Sequence, residues 1–466
     1  MITIKKKSRL KQVEGFKNRM LVRGKYILTA ADPEEVRNGA LRVQNGIITE
    51  IDDWNLLHSK FPDDQIVGGQ NDIIMPGLIN AHGHFSEALI AGIAEQYTLW
   101  EWIQELVGKV APVLDFEMAY FGTLLSGIQM LQSGVTLVND MFVYDPFNQK
   151  AATPAVVNAL EDIKLRGIVS FGAGDIRSGI SVKKILREHE LLAEAAENSK
   201  LCNFNVGIAA LRVQSPKLFK ETINFAKKGN FGIHIHLQEV REEVTATKND
   251  LGYTPIQFCS REGLLENPTI AAHCVWIDSE DSKILADHSV GVAHNPISNM
   301  ILASGICPVT ELRGLGVDVG IGIDGAGSND SQDMLESMKM TPLLQRVKRL
   351  QATALSARDA FKMSTIEGAK ALGVHKELGS LEVGKKADFV VLNGNSPVLA
   401  NIHDPFQTIV YCVGKREVRE VWIDGEIVLK DGEPVNLSLD QVVERSRPLA
   451  SKLVKSAGLS KLSNLF

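Results

Sequence analysis

The stretch that decides the fold runs from residue 73 to residue 84 and reads Ile73-Ile74-Met75-Pro76-Gly77-Leu78-Ile79-Asn80-Ala81-His82-Gly83-His84. Its nearly continuous apolar character predicts a strand that is buried on both faces. His82 and His84 are two residues apart, so on a strand both side chains point to the same face. Two converging imidazoles suit a metal such as zinc or iron. Taken alone, the pair is a weak signal for metal binding, because two packed core histidines would give the same pattern.

Seven further apolar runs follow, each separated from the next by a helical pattern. They cover residues 135–141, 166–174, 203–211, 231–239, 269–276, 290–296 and 318–325. Eight buried strands alternating with helices over about 300 residues predict an α/β fold, a closed (β/α)8 TIM barrel.

The two ends of the chain have a different texture, with short apolar stretches and polar turns. Strands are predicted at residues 20–30, 40–43, 47–51, 387–392, 408–413, 418–423 and 426–429. Asn45-Gly46 and Asp424-Gly425 are typical hairpin turns. We therefore expect a basic arm (1–19), a small β-sandwich domain built from both ends (20–72 and 386–434), the barrel (73–385) and a helical tail (435–466).

Composition excludes several classes of function. The chain has 466 residues and a formal net charge of −6, which argues against nucleic-acid binding. It has no apolar run of 18 residues that would span a membrane, and no apolar segment follows the N-terminal basic cluster as in a signal peptide. Five scattered cysteines without a CxxC pair suit a reduced, cytoplasmic protein. The basic arm is interpreted as a solvated tail, with phosphate binding as the alternative.

Polar residues that suit a metal site recur at the ends of the predicted strands. His236 lies near the end of run five, His273 in run six, His294 in run seven and Asp324 at the end of run eight. Active sites of such barrels sit at the carboxyl ends of the strands. Together with the histidine pair of run one, these positions predict a metal site.

The fifth run leaves two questions open. His234 has the same facing as His236; we favour His236 as the ligand because it lies nearer the strand's end, which leaves His234 as a packed core residue. Glu239 follows His236 by three residues, a spacing that points the two side chains to opposite faces of a regular strand. Glu239 reaches the site only if the alternation breaks there; otherwise it is a solvated loop residue.

Five motifs resemble, in order, those of the amidohydrolase superfamily, in the branch that holds nucleoside and nucleobase deaminases and triazine hydrolases. They are Met-Pro-Gly-Leu-Ile-Asn-Ala-His-Gly-His (75–84), His-Ile-His-Leu-Gln-Glu (234–239), Ala-His-Cys (272–274), His-Asn-Pro-Ile-Ser-Asn-Met with Leu-Ala-Ser-Gly (294–305), and Gly-Ile-Asp-Gly-Ala-Gly-Ser-Asn (322–329). The resemblance runs from about residue 22 to residue 429.

The resemblance implies one divalent ion per chain, Zn²⁺ or alternatively Fe²⁺, held by the ligand set His82, His84, His236 and Asp324. Superfamily members with two metals carry a bridging lysine on strand four, and run four has none. The implied activity is a metal-dependent aminohydrolase, or deaminase, that attacks an sp² carbon of a purine, pyrimidine, pterin or triazine with metal-activated hydroxide.

The same resemblance implies roles for three catalytic residues. Asp324 would take the proton of the water, His273 would orient the nucleophile, and Glu239 would protonate a ring nitrogen of the substrate. The alternatives are hydrolysis of an amide, urea, carbamate or carbon–halogen bond at the same site, and a non-catalytic scaffold of the same fold. Relatives also suggest a homo-oligomer, a dimer.

Trp100, Trp102 and Gln104 match a loop that lines the substrate pocket in relatives, where aromatic rings could stack on a heterocycle or belong to the core. Ala209 and Ile301 stand where relatives often carry histidine and lysine. Both changes predict a less polar pocket and argue against a nucleoside such as S-adenosylhomocysteine.

Three further residues complete the candidate substrate site. The resemblance makes His294 structural, or a neighbour of the ligands, more often than a ligand itself. Ser328 and Asn329 follow Asp324 directly and are expected to shape the floor of the pocket.

Overall fold

A computed structural model describes residues 19–93, 95–147, 150–176 and 178–461. Arg19 begins the first strand, and the rest of the predicted basic arm lies outside the described residues. Across the described residues, no helix combines the length and apolar character needed to cross a membrane.

The central part of the chain is a parallel barrel. Its strands are β6 (Leu78–His84), β7 (Val135–Val143), β8 (Arg166–Gly172), β9 (Cys202–Ile208), β10 (Gly232–Leu237), β11 (Thr269–His273), β12 (Gly291–His294), β13 (Val319–Ile321) and β14 (Asp324–Gly325). The short segments β13 and β14 are two parts of one eighth strand: β13 pairs with β12 and β14 pairs with β6. The ring is therefore closed, which confirms the predicted (β/α)8 barrel.

Both ends of the chain meet in a second, mixed sheet. Its strands are β1 (Arg19–Leu28), β2 (Glu35–Gln44), β3 (Ile47–Asp53), β4 (Gln65–Gly68), β5 (Ile73–Pro76), β15 (Phe389–Leu392), β16 (Val418–Ile423), β17 (Glu426–Lys430) and β18 (Glu433–Pro434). The predicted β-domain from both chain ends is confirmed, and hydrogen bonds join its nine strands in a single sheet.

The two predicted hairpin turns touch each other in this sheet. Asn45, Gly46, Asp424 and Gly425 all have positive φ, between 52° and 77°, as this type of tight hairpin turn requires. A Cβ atom on Gly46 would lie 2.6 Å from the carbonyl oxygen of Asp424. Glycine is therefore needed where the N-terminal and C-terminal hairpins meet.

Run one contains two strands rather than one. β5 pairs with β1 and β15 in the mixed sheet, and β6 begins the barrel two residues later, so the mixed sheet extends past residue 72. The chain changes sheet at Gly77, where a Cβ atom would lie 2.0 Å from the Oγ1 atom of Thr136.

The prediction of a strand at residues 408–413 is wrong, because Pro405–Cys412 is an α-helix. Asp404 caps its N-terminus by accepting a hydrogen bond from the backbone N–H of Gln407 (3.0 Å), and Pro405 occupies the first turn. This combination favours a helix start and overrides the β-branched residues that suggested a strand.

Helices lie between the barrel strands and at the chain ends. They are α1 (Trp54–Lys60), α2 (Leu99–Trp102), α3 (Gly108–Val110), α4 (Phe116–Gln132), α5 (Thr153–Ile163), α6 (Val182–Glu197), α7 (Pro216–Gly229), α8 (Arg241–Leu251), α9 (Pro255–Arg261), α10 (Ser279–Asp287), α11 (Pro296–Ile301), α12 (Val309–Gly314), α13 (Met334–Arg349), α14 (Ala357–Met363), α15 (Ile366–Ala371), α16 (Pro405–Cys412) and α17 (Leu439–Ser456). The last of these lies within the predicted helical tail.

Candidate metal centre and active site

The four predicted ligands come together at the carboxyl ends of the barrel strands. The Nε2 atom of His84 lies 3.1 Å from Nε2 of His236. The Oδ1 atom of Asp324 lies 3.4 Å from Nε2 of His82 and 3.5 Å from Nε2 of His84. The polar side chains at the ends of strands one, five and eight therefore converge on one point.

The donor set fits a divalent metal ion. Ligand atoms of His82, His84 and Asp324 lie within 4.8 Å of one another, as do those of His82, His236 and His273. Nε2 of His82 is buried without a hydrogen-bond partner among the described residues. Nδ1 of His84 lies 2.6 Å from the carbonyl oxygen of Met141, so it carries the proton and leaves Nε2 with its lone pair directed at the cluster. Imidazole nitrogens and a carboxylate directed at one point are typical of zinc and iron sites.

Burial and mutual attraction set the charges of this cluster. Burial lowers the pKa of His82 to about 4 and also lowers the pKa of His84 and His236, so the rings are neutral, the form that binds metals. Burial by itself would raise the pKa of Asp324, but its interaction with the adjacent His82 ring holds this pKa well below its usual range. Asp324 is therefore an ionised carboxylate beside neutral imidazoles.

The backbone turns sharply where the site residues follow the strands. Asp324, His273 and Gln238 have φ values of 71°, 74° and 53°, in the left-handed region that non-glycine residues seldom adopt. Gln238 is held there by its amide, which donates to the carbonyl oxygen of Trp276 (2.7 Å) and to Asp281 (2.9 Å). The alternation of strand five breaks at Gln238, as required for Glu239 to turn toward the site.

Glu239 lies beside the histidine that follows strand six. Its Oε2 atom is 3.5 Å from Nε2 of His273, and its Oε1 atom accepts a hydrogen bond from the hydroxyl of Ser304 (2.9 Å). Burial raises the pKa of Glu239. His273 is oriented by Asn299, whose Oδ1 atom lies 2.9 Å from Nδ1, and its Nε2 atom is 3.8 Å from Oδ2 of Asp324. His273 thus stands between the two carboxyl groups.

The helical segment at residues 99–107 contains three predicted pocket residues, each in a different environment. Trp102 is buried, and its indole N–H donates to the carbonyl oxygen of Gly327 (2.9 Å). Trp100 is half-buried, with the guanidinium carbon of Arg212 5.9 Å from its ring centre. Gln104 is exposed and donates to Glu105 (3.3 Å), which places its amide on the surface rather than against the cluster.

The remaining predicted pocket residues lie at strand ends. Ala209 is half-buried directly after β9. His294 ends β12 fully buried, its two ring nitrogens without a partner among the described residues, and burial lowers its pKa to about 3. The hydroxyl of Ser328 donates to Glu87 (3.3 Å) and the amide of Asn329 donates to the carbonyl oxygen of Ile323 (2.5 Å). Ser328 and Asn329 thus brace the loop after strand eight.

Sequence reasoning missed Glu87, which lies in a single 3-10 turn after β6. It is buried, and its Oε2 atom accepts hydrogen bonds from the N–H of Gly327 (3.1 Å) and from Ser328. A Cβ atom at Gly325 would lie 1.8 Å from this oxygen. The signal was present in the sequence, because Glu87 follows His84 by the same three residues that separate Glu239 from His236.

Comparison with known proteins identifies the family. Residues 73–428 match the model of the amidohydrolase family. This chain belongs to the amidohydrolase family. The predicted superfamily is thereby confirmed, as is the prediction of a hydrolase that acts on carbon–nitrogen bonds.

Relatives and solved structures support this assignment over the whole chain. A 5'-deoxyadenosine deaminase of Methanopyrus kandleri is 34% identical over 410 residues, 88% of this amidohydrolase and 91% of the relative. A 5-methylthioadenosine/S-adenosylhomocysteine deaminase of Thermodesulfovibrio yellowstonii is 33% identical over 432 residues, 91% and 97% of the two chains. The crystal structure of an adenosine deaminase from Xanthomonas campestris with bound zinc has a TM-score of 0.87 at 26% identity and covers 94% of this chain and 98% of its own.

Proposed function

We propose that this amidohydrolase is a mononuclear metal-dependent aminohydrolase that removes an amino group from an sp² carbon of a nitrogen heterocycle. One observation carries the proposal: two buried carboxyl groups, those of Asp324 and Glu239, lie on either side of His273 beside the histidine cluster. The pKa of Asp324 is held low and that of Glu239 is raised by burial. Such a pair assigns one group as base and the other as acid.

The residues of the chain then have distinct tasks. When bound, a divalent ion supplies a water whose pKa falls to about 7. The protonated Glu239 donates a proton to a ring nitrogen of the substrate, which makes the adjacent carbon more electrophilic. The ionised Asp324 accepts a proton of the attacking water and passes it to the amino group, which leaves as ammonia when the carbon–nitrogen bond breaks. His273 lies 3.5 Å from Glu239 and 3.8 Å from Asp324, where it stabilises charge that develops between them.

We propose Zn²⁺ as the native ion, with Fe²⁺ as the alternative, and His82, His84, His236 and Asp324 as its ligands. The absence of a lysine in β9 supports a single ion. A purine, pyrimidine, pterin or triazine is the proposed substrate class, and relatives named for adenosine derivatives make aminated purines the first to test. A cytoplasmic homodimer remains a prediction.

Ammonia release from the purified, zinc-loaded protein tests this function. The panel contains adenosine derivatives modified at the 5' position, free purines and pyrimidines, aminopterins and aminotriazines, beside ureas, carbamates and chlorotriazines. We expect ammonia from at least one aminated heterocycle, and none from the Asp324→Asn variant on the same compound. Turnover confined to ureas, carbamates or chlorotriazines would replace deamination by the alternative hydrolysis.

A further inference from the structure

His234 lies one layer beneath the histidine cluster and has no assigned task. It is completely buried in β10, and its Nε2 atom is 2.8 Å from Nδ1 of His82. It belongs to neither group of candidate metal ligands found among the described residues. The question is which of the two facing nitrogens, one on each ring, carries the hydrogen.

The contacts of Asn139 indicate which nitrogen of His234 lacks a hydrogen. Its Nδ2 atom donates to the carbonyl oxygen of Ala81 (2.9 Å), which fixes the amide, because the amide oxygen would repel that carbonyl. The same Nδ2 atom lies 3.4 Å from Nε2 of His234. A donor therefore faces this ring nitrogen, which assigns Nε2 of His234 as the nitrogen without a hydrogen.

The contacts of Ser170, on the other side of the ring, indicate the same tautomer of His234. Its hydroxyl donates to the carbonyl oxygen of Asp140 (2.8 Å), and its oxygen lies 3.1 Å from Nδ1 of His234. Since the hydroxyl hydrogen is already used, the serine oxygen accepts a hydrogen bond from Nδ1–H. Two different backbone carbonyls thus lead to one tautomer of His234.

The tautomer of His82 follows. Because Nε2 of His234 has no hydrogen, Nδ1 of His82 carries one and donates it to that atom. The Nε2 atom of His82 is then left with a lone pair, which faces Oδ1 of Asp324 at 3.4 Å. We propose that His234, held by Ser170 and Asn139, is a positioning residue that locks His82 in the tautomer and orientation required of a metal ligand. The inference rests on the proposed metal site and deepens it. His84 receives the same orientation directly from a backbone carbonyl, whereas His82 receives it through a second imidazole.

Two amide substitutions at His234 separate the hydrogen bond from the bulk of the ring. In His234→Gln the amide oxygen reaches the position of Nε2 and accepts the hydrogen of His82, whereas the shorter amide of His234→Asn reaches only toward Ser170. We expect the Zn²⁺ dissociation constant, measured by chelator competition, to rise about 10–100-fold in His234→Asn. His234→Gln should bind close to the wild-type level, and Ser170→Ala should weaken binding in the same direction as His234→Asn, by less. The visible spectrum of the Co²⁺-loaded protein should change in His234→Asn and recover in His234→Gln.

A second buried histidine provides the control. His189 packs against Phe171, and its two ring nitrogens have no partner among the described residues. His189→Asn should change thermal stability but leave the Zn²⁺ dissociation constant unchanged.

Tight binding in His234→Asn, or equal weakening in His234→Gln and His234→Asn, overturns the positioning role. Failure of the wild-type protein to bind Zn²⁺ or Fe²⁺ overturns the proposed metal function itself. If His234→Asn does not fold, Ser170→Ala decides: unchanged binding in that variant overturns the role.

Discussion

Strands one and five of the barrel end in the same pattern, His-x-His-x-x-Glu, yet the structure uses the two copies differently. In β6, both His82 and His84 reach Oδ1 of Asp324, at 3.4 and 3.5 Å. In β10, His236 joins the cluster, but His234 lies beneath it and contacts His82 instead. The two-residue spacing of the histidines thus predicts that both side chains of a pair lie on the same face of the strand. It does not determine how deep in the barrel each side chain lies.

Strand register explains the difference in depth. β14 pairs with β6 so that Asp324 lies opposite Gly83, between the two histidines. His236 in β10 lies opposite Ala272, at the end of the strand, and His234 is two residues further in, about 7 Å along the strand. The centre of the cluster therefore lies level with the midpoint between His82 and His84 on strand one. On strand five it lies level with His236, so His234 is left below it.

The glutamates of the two patterns differ because the backbone after each strand differs. After β6 the chain enters a 3-10 turn that directs Glu87 to the loop after strand eight. After β10 the left-handed Gln238 directs Glu239 to His273. Glu87 braces a loop, whereas Glu239 lies beside His273 at the histidine cluster.

The largest expected effect comes from removing a cluster histidine. His84→Ala and His236→Ala should each lose bound metal and reduce turnover to background, because each deletes a nitrogen that faces the shared site. Metal content by elemental analysis and turnover on the substrate from the panel are the measurements. If His236→Ala keeps its metal while His234→Asn loses it, the assignments within strand five are reversed.

Substitution of the two glutamates is expected to have smaller and unequal effects. Glu239→Gln should keep the metal and lose about 10²–10⁴-fold in turnover, because an amide can donate a hydrogen bond but cannot transfer a proton to the ring. Burial raises the pKa of Glu87 well above its usual value, so the neutral amide of Glu87→Gln resembles the protonated acid. Its oxygen can still accept from Gly327 and Ser328, so metal content should be kept and turnover should fall far less.

The two variants control for each other, since both remove one buried acid near Asp324. Near-wild-type turnover of Glu239→Gln on the true substrate would remove Glu239 from ring protonation. A loss in Glu87→Gln as large as in Glu239→Gln would mean that the two patterns are functionally equivalent after all.

These contrasts show how far the sequence predicts the molecule. Strands buried on both faces leave apolar runs, so the barrel and the strand-end positions of His82, His236 and Asp324 were predictable. The helix at 405–412 was missed because capping by Asp404 and the proline after it outweighed the apolar residues that follow. The depth of His234 depends on register between strands, a long-range property that spacing along one strand does not contain.

The smallest expected effect is at Gln104, which the resemblance placed in the pocket and the structure places on the surface. Gln104→Ala should leave kcat/KM unchanged and alter the free energy of unfolding by no more than about 0.5 kcal/mol, as is usual for an exposed side chain. Trp102→Phe in the same segment is the matched contrast, because it removes the hydrogen bond to the carbonyl oxygen of Gly327, in the loop that Glu87 braces. That variant should lose about 1 kcal/mol of stability. A change in KM for Gln104→Ala would show that the segment after residue 99 moves toward the substrate, and that the pocket extends beyond the ends of strands one and five.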